Sequence, residues 1–494
     1  MSAAADRRAA RLSLLALVTS GVLVACGLGM LVSDAVGEIS ERGPAVPLLL
    51  PGLIALIAGS LGLYSVPRPR GAQIDLTTGF GAVTLGWVAA AIIGAVPYLL
   101  AGTFNSPVDA LFESMSGFTT TGATLIDQVE AQSDEILLWR SLTQWLGGVG
   151  IVLLVVAVAP LAKVGLQKVF YAEVTGITSD RLTPRISDTA KIIAGIYVTL
   201  TVAAGIAYAA AGMGAFDAVN HALTTLATGG FSTRTSSLAG YESGAIEAVA
   251  VVFMALAGVN FAVYWRIVKR QGAGSPIAET IAYAAILIAA IAAVAISLEL
   301  AADVGSFGRG VRDATFTVVS VMTTTGFTTA DFDTWNEFAR YALLGLMVIG
   351  ACAGSTGGGI KVIRAVLLAK AGWHELQKQT RPNAVRVLRF GGRTFGEEVR
   401  TRVLGFMLVY TVVFALGTAA FAVCGLEPAS SFSATAATLN NIGPGLGDIG
   451  ALENFAALPL GGRLVAIFLM LAGRLEIFTV LALIVAGVGL VTRR

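Results

Sequence analysis

The stretch Phe118-Thr119-Thr120-Thr121-Gly122-Ala123-Thr124 recurs in closely related form at Met322-Thr323-Thr324-Thr325-Gly326-Phe327-Thr328. Two looser relatives are Ala227-Thr228-Gly229-Gly230-Phe231-Ser232 and Asn440-Asn441-Ile442-Gly443-Pro444. Each follows a short, mildly apolar run and precedes a long apolar one. One Thr-Thr-Gly is no more than a loop signal; four at near-regular spacing are a repeat. The aligned glycines Gly122, Gly230, Gly326 and Gly443 lie 108, 96 and 117 positions apart. That spacing holds one apolar span, a short helix, the turn and a second apolar span. Gly230 is aligned in preference to Gly229, because Gly230-Phe231-Ser232-Thr233 then matches Gly326-Phe327-Thr328-Thr329.

Four such turns meeting around one axis suit a particular chemistry. A cation leaving water needs oxygens that replace its hydration shell, and rings of backbone carbonyls do this in potassium filters. Inward-pointing carbonyls require unusual backbone angles, and glycine reaches positive φ without steric cost. Threonine adds a small side chain with a spare hydroxyl oxygen. The expected carbonyl donors are Thr120, Thr121 and Gly122, then Thr228, Gly229 and Gly230, then Thr324, Thr325 and Gly326, and last Asn441, Ile442 and Gly443.

The 494 residues are 55% hydrophobic and only 13% charged, with a mean hydropathy of +0.79. A soluble chain carries about 25% charged residues, so this is an integral membrane protein. Cys26, Cys352 and Cys424 all sit in apolar runs, which leaves no disulfide framework and no metal-ligand spacing. His221 and His374 are far apart in sequence, and no catalytic role is assigned to either.

Arg7, Arg8 and Arg11 precede an apolar run from Leu12 to Val32, long enough to cross a bilayer of roughly 30 Å. Leu23-Val24-Ala25-Cys26 has the form of a lipoprotein cleavage site, but the run continues past it, which favours a retained helix. A second span covers Val46–Val66. These two form an accessory segment, residues 1–70. Four repeats follow, at 71–168, 169–271, 272–395 and 396–494. Their short segments, Pro107–Gly117, Ala215–Leu226, Val311–Met322 and Pro428–Leu439, cannot span. Non-helical backbone at membrane depth must be buried in protein or line water, so each reads as a re-entrant pore helix and loop. Asp109, Asp217 and Asp313 each lie 13 positions before their glycine. An acid there suits a helix N-terminus; Ser430 holds the fourth place. The fold class is therefore all-α, a two-helix extension plus four helix–pore loop–helix units around a central pore.

On this topology 25 of the 33 Lys and Arg residues fall on the side of the N-terminus. Arg42, Arg140, Arg234, Arg309, Arg312, Arg340 and Arg463 fall on the other side, and Arg474 within a span. The positive-inside rule then places both termini in the cytoplasm and the four turns toward the outside. The outer loops carry Asp127, Glu130, Asp134, Glu135, Asp303, Asp331 and Asp333, and an acidic mouth would raise the local cation concentration.

Ten spans with four pore loops after a two-helix extension resemble the TrkH/TrkG/KtrB superfamily of potassium transport subunits, and the extension looks like the TrkH branch. The resemblance covers nearly the whole chain. Its most specific segments are Ser114–Thr124, Leu226–Thr233, Thr323–Thr329, Asn440–Gly447, Ala351–Arg364 and Gly473–Thr479. It implies potassium uptake across the bacterial cytoplasmic (inner) membrane, with K+ as the ion bound and carried. Plant relatives that pass sodium have serine at the first filter position; here Gly122 implies potassium preference. The fourth turn, with Ile442 and Pro444, departs most, as is usual in the family. A cytosolic TrkA-like nucleotide-binding regulatory subunit and a homodimer are likewise implied, with membrane lipid as a further contact. No cofactor or nucleic-acid partner is expected.

Gly354-Ser355-Thr356-Gly357-Gly358-Gly359 interrupts the third repeat's second span. Each glycine costs a helix about 1 kcal/mol against alanine, so the span is expected to break into two half-helices. Ile360 separates Gly359 from Lys361, which spoils any likeness to a phosphate loop. The resemblance makes this an intramembrane gating loop below the filter, and makes Arg474 a pore residue beside it. A charge at bilayer depth costs at least about 2.5–3.5 kcal/mol, so Arg474 must face water, a partner or the pore. The basic segments Gly372–Arg402 and Lys163–Lys191 offer a docking face for the regulator or for anionic lipid. The alternative is a Na+- or H+-coupled secondary cation transporter, which would need more midplane ionisable groups. Gly445-Leu446-Gly447-Asp448 has the form of a membrane aspartyl protease motif, but no Tyr-Asp pair occurs in the chain. An enzyme is not expected.

Overall fold

Apolar runs that must satisfy every backbone group internally become helices in a bilayer. The computed structural model describes residues 3–39, 46–67, 76–158, 186–270, 274–302, 305–380 and 388–483. Among them the only strands are the short antiparallel pair Leu388–Phe390 and Arg393–Phe395. Helices Ala3–Ile39 and Val46–Ser65 form the N-terminal hairpin. Small residues set its closeness: a Cβ on Gly27 would lie 2.7 Å from the Leu56 backbone nitrogen. Cys26 and Met30 pack the hairpin against Tyr98, Phe118 and Trp139 of the first repeat.

Each repeat starts with a long helix, Leu76–Leu100, Ile186–Ala210, Ser275–Ala301 or Glu397–Val423. A short helix follows: Pro107–Phe118, Ala215–Leu226, Phe307–Met322 or Pro428–Leu439. Proline at the first helical position starts two of these, where its missing N–H costs nothing. The third begins earlier than expected, capped by the Ser306 hydroxyl, which accepts from Arg309 N–H at 3.3 Å. Asp313 is therefore inside that helix, not at its start, and pairs with Arg309 one turn back at 3.6 Å. The other three residues are in the first turn and tie the helix to a later segment. Asp109 accepts from Arg463, Asp217 from Thr233 Oγ1–H at 2.7 Å, and Ser430 Oγ from Asp448 N–H at 3.1 Å.

The second half of each repeat is less uniform than expected. Asp134–Val158 is continuous. In the second repeat Gly244–Ala257 and Phe261–Val268 meet at 88°, and Asn260 caps the new helix by accepting from Ala262 N–H. The third breaks between Glu337–Ile349 and Val362–Thr380. The fourth ends at Arg474, with Glu476 and Ile477 both at φ 55°, before helix resumes at 478. Six described helices are long and apolar enough to cross a membrane, seven if the bent pair counts as one. Of the ten expected spans, six are these helices, three are bent or broken in the second, third and fourth repeats, and the tenth is Asp134–Val158, which is continuous but not among the six. Boundaries at 70, 168 and 271, most of Lys163–Lys191, and Arg42, Asp303 and Arg493–Arg494 lie outside the described residues.

Gly27→Leu should overpack the N-terminal hairpin and cost about 1–3 kcal/mol. Thermal unfolding in detergent should show the lower midpoint.

Candidate ion-conduction site

Each short helix ends in the same way. The residue after the cap takes a left-handed conformation: Thr120 (φ 54°), Thr228 (φ 52°), Thr324 (φ 59°) and Asn441 (φ 55°). The next N–H reaches back five residues: Thr121 to Ser116, Gly229 to Thr224, Thr325 to Ser320 and Ile442 to Ala437, all at 2.9 Å. This is the Schellman ending, normally built on glycine. A β-branched residue in that conformation is a genuine outlier, and such strain persists only where the surroundings over-determine it. Two residues later comes a positive-φ glycine: Gly122 (81°), Gly230 (77°), Gly326 (81°) and Gly443 (101°). Alternating the sign of φ turns successive peptide planes the same way, so carbonyls need not alternate as they do in a strand.

The four turns close on one another. A Cβ on Gly122 would overlap the carbonyl oxygen of Gly229, and one on Gly230 that of Thr325. One on Gly326 would overlap that of Ile442, and one on Gly443 would lie 2.8 Å from that of Thr121. Each contact thus reaches the residue just before the next repeat's glycine, and the fourth returns to the first. Eight of the twelve expected residues, the four glycines and the residue before each, are brought into this one ring, in a core where Thr120, Thr121, Thr228, Thr324, Thr325, Asn441 and Ile442 are buried. Above it lies a vestibule lined by the four glycines with Thr124, Arg234, Glu453 and Asn454.

The seams between repeats use side chains that the repeat pattern hides. Glu113, in the first pore helix, accepts from Leu125 N–H (3.0 Å), Thr124 Oγ1–H (2.9 Å) and Arg140 Nε–H (3.0 Å). Arg140 also donates to the Ser232 carbonyl at 3.2 Å and stacks over Phe231 at 4.2 Å. The charge expected on the outer side is thus buried in an ion pair joining the first two turns. Gln144 donates to the Gly229 carbonyl at 2.7 Å and accepts from Phe231 N–H at 3.1 Å. Asn441 Nδ2 donates to Thr121 Oγ1 at 3.0 Å, joining the fourth turn to the first. Glu113 could have been suspected from a carboxylate midway along an apolar short helix, and Gln144 from an amide in a span.

The outer acids act mainly as ties. Asp127 accepts from Asn454 at 2.7 Å and Asp333 from Gly447 N–H at 2.7 Å, while Glu135 is buried. Burial raises the Glu130 carboxyl's pKa, but bonds from the Thr235 hydroxyl and N–H outweigh it and hold it below its ordinary range.

Below the ring, the segment Gly354–Gly359 runs as loop between two helices. Gly358 N–H donates to Thr324 Oγ1 at 2.6 Å, and a Cβ on Gly358 would overlap the Asn440 carbonyl. Thr356 Oγ1–H donates to the Leu226 carbonyl at 3.0 Å. Ser355 Oγ–H donates to the Cys352 carbonyl at 2.6 Å. A Cβ on Gly357 would lie 2.9 Å from the Thr323 carbonyl, and Gly359 (φ 75°) packs on Gly350. Arg474 is buried and donates to the Thr356 carbonyl (2.8 Å) and the Gly147 carbonyl (3.0 Å), linking the loop to the first repeat. Its sequence neighbour Glu476 pairs instead with Arg364. Two further groups were not foreseen: Lys361 donates to the Gly357 carbonyl, and Glu279 accepts from Ala353 N–H (2.8 Å) and Ile363 N–H (3.2 Å) at the loop's two ends.

Residues 49–487 match the family model described as TrkH, cation transport protein. The Trk system potassium uptake protein TrkH of Halomonas elongata is 38% identical over 87% of this chain and 90% of its own. That of Salmonella typhimurium is 36% identical over 95% of this chain and 96% of its own. Trk system potassium uptake protein TrkG of Escherichia coli is 31% identical over 85% and 87%. The crystal structure of the potassium transporter TrkH from Vibrio parahaemolyticus superposes with a TM-score of 0.86 at 34% identity, covering 96% of this chain and 98% of that one.

Removing one partner of a buried ion pair costs about 3–5 kcal/mol. Glu113→Gln should therefore lower the thermal midpoint in detergent, and adding Arg140→Met should recover part of the loss.

Proposed function

This chain is a member of the TrkH family of cation transport proteins, and from that premise we propose that it is the ion-conducting subunit of a Trk-type potassium uptake system. It works as a multi-pass protein of the bacterial inner membrane. The observation that carries this reading is the closed ring of four positive-φ glycines, each seated against the carbonyl of the next repeat. Carbonyls gathered in such a ring replace the water that K+ sheds. The donors are the residues of the four turns, Thr120–Gly122, Thr228–Gly230, Thr324–Gly326 and Asn441–Gly443. Ions enter from the outer vestibule, both termini being cytoplasmic.

Gly354–Gly359 is the gate, and Arg474 is its latch. The Arg474 guanidinium bonds the loop at the Thr356 carbonyl and the first repeat at the Gly147 carbonyl; so tethered, the loop would block the path below the ring, and the charge would oppose a cation there. Opening means moving the loop, and a partner that prefers one loop position shifts the balance between the two states. The relatives' names place them in a Trk system, which fits a TrkA-like nucleotide-binding regulator docking on the basic segments Gly372–Arg402 and Lys163–Lys191. A homodimer is part of the same proposal.

Purified protein in liposomes should release K+ faster than Na+, and Gly122→Ser should lower that preference several-fold. A wild type indifferent to K+ would sink the reading, and flux strictly coupled to a Na+ or H+ gradient would favour the secondary-transporter alternative. Arg474→Ala should raise basal flux in the same assay, whereas unchanged flux from folded protein would remove Arg474 from the gate.

A further inference from the structure

The second turn lacks the threonine–threonine fastening of the first and third; its one internal side-chain bond runs from Thr228 Oγ1–H to the Ala227 carbonyl at 2.6 Å. In the first and third, the residue before the glycine is a threonine whose hydroxyl meets that of the threonine two positions earlier. Thr119 meets Thr121, and Thr323 meets Thr325, each at 2.8 Å. In the fourth, that residue is the buried Ile442, and its neighbour Asn441 is fastened to Thr121 Oγ1 and to the Met470 carbonyl. In the second it is Gly229, followed by another glycine. This turn has the largest backbone freedom of the four.

The volume beside Gly229 is nonetheless filled. A Cβ on Gly229 would fall inside the carboxamide of Gln144. That carboxamide is buried, donates to the Gly229 carbonyl at 2.7 Å and accepts from Phe231 N–H at 3.1 Å, so it brackets Gly230 from both sides. Among the described residues no N–H or O–H donates to the corresponding carbonyls of Thr121, Thr325 and Ile442. The other repeats carry methionine where the first carries Gln144. Gln144 stands three residues before Gly147, as Met254 before Ala257, Met347 before Gly350 and Met470 before Gly473. All three methionines are buried. The amide occurs only where the turn it faces has no side chain of its own.

We infer that Gln144 is a positioning residue for ion selectivity: its carboxamide takes the place of the side chain missing at Gly229 and fixes the Gly229–Gly230 peptide at the radius that suits K+. The inference rests on the pore reading above. A turn released from Gln144 can close toward the axis and serve the smaller Na+.

The test is a reciprocal swap read as the K+/Na+ permeability ratio of proteoliposomes. Gln144→Met, the residue of the other three repeats, should lower the ratio about three- to tenfold, the factor one net hydrogen bond represents. Gly229→Thr alone should also lower it, because the new side chain competes with Gln144 for one space. Gln144→Ala combined with Gly229→Thr should return the ratio to within about twofold of wild type, since threonine is the residue used in turns one and three. A merely structural role predicts reduced total flux at constant ratio and no rescue. An unchanged ratio in Gln144→Met, or a double variant no better than Gly229→Thr, overturns the inference; if Gln144→Met does not fold, the double variant carries the test. Wild-type liposomes that pass no K+ would overturn the pore reading instead. In that case calorimetric K+ and Na+ binding to the solubilised wild type and double variant still tests Gln144.

Discussion

Backbone carbonyls gathered in one buried ring, three of the four that seat the glycines having no hydrogen-bond donor among the described residues, are the constraint on which this structure depends. Left alone in an apolar medium, each such group would cost several kcal/mol. The chain meets the constraint by ending four short helices in the same left-handed turn and packing the turns into a closed ring. In the proposed pore the ring's carbonyls would be satisfied together by a dehydrated alkali cation. Strain at Thr120, Thr228, Thr324 and Asn441 is tolerated because the helix above and the neighbouring turn both fix the same peptide.

The ring is nearly four-fold in its backbone and not at all so in its supports. Between the first and second turns stands a buried Glu113–Arg140 pair with a ring of Phe231 beneath the guanidinium. Between the third and fourth, Asp333 accepts from Gly447. Between the fourth and first, Asn441 reaches Thr121. The backbone of the four turns repeats, while a different side chain supports each of these seams.

Below the ring the symmetry ends, and the buried charges collect. Arg474, Lys361 and the Arg364–Glu476 pair surround one loop, with Glu279 holding its ends. Charges so placed are costly at bilayer depth and mark function. The first repeat's second helix runs straight through this level, while the other three bend or break there.

Much of this was legible in the residues themselves. The repeated Thr-Thr-Gly, its spacing and the short segments before it determined a four-unit membrane fold with the turns at equivalent places, because local helix endings and apolar length are written in neighbouring residues. The six glycine-rich positions from Gly354 determined a broken span for the same reason. What only the tertiary structure decided was who stands behind each turn. Arg140 looked like an outer charge and is buried against Glu113, 27 positions earlier. Gln144 stands outside the repeated motif and meets a carbonyl 85 positions away. Arg474 and Glu476 lie two positions apart in sequence, yet one bonds the loop and the other pairs with Arg364. Such partners are set by the packing of distant helices, and no local pattern of one chain segment specifies which face will meet which turn.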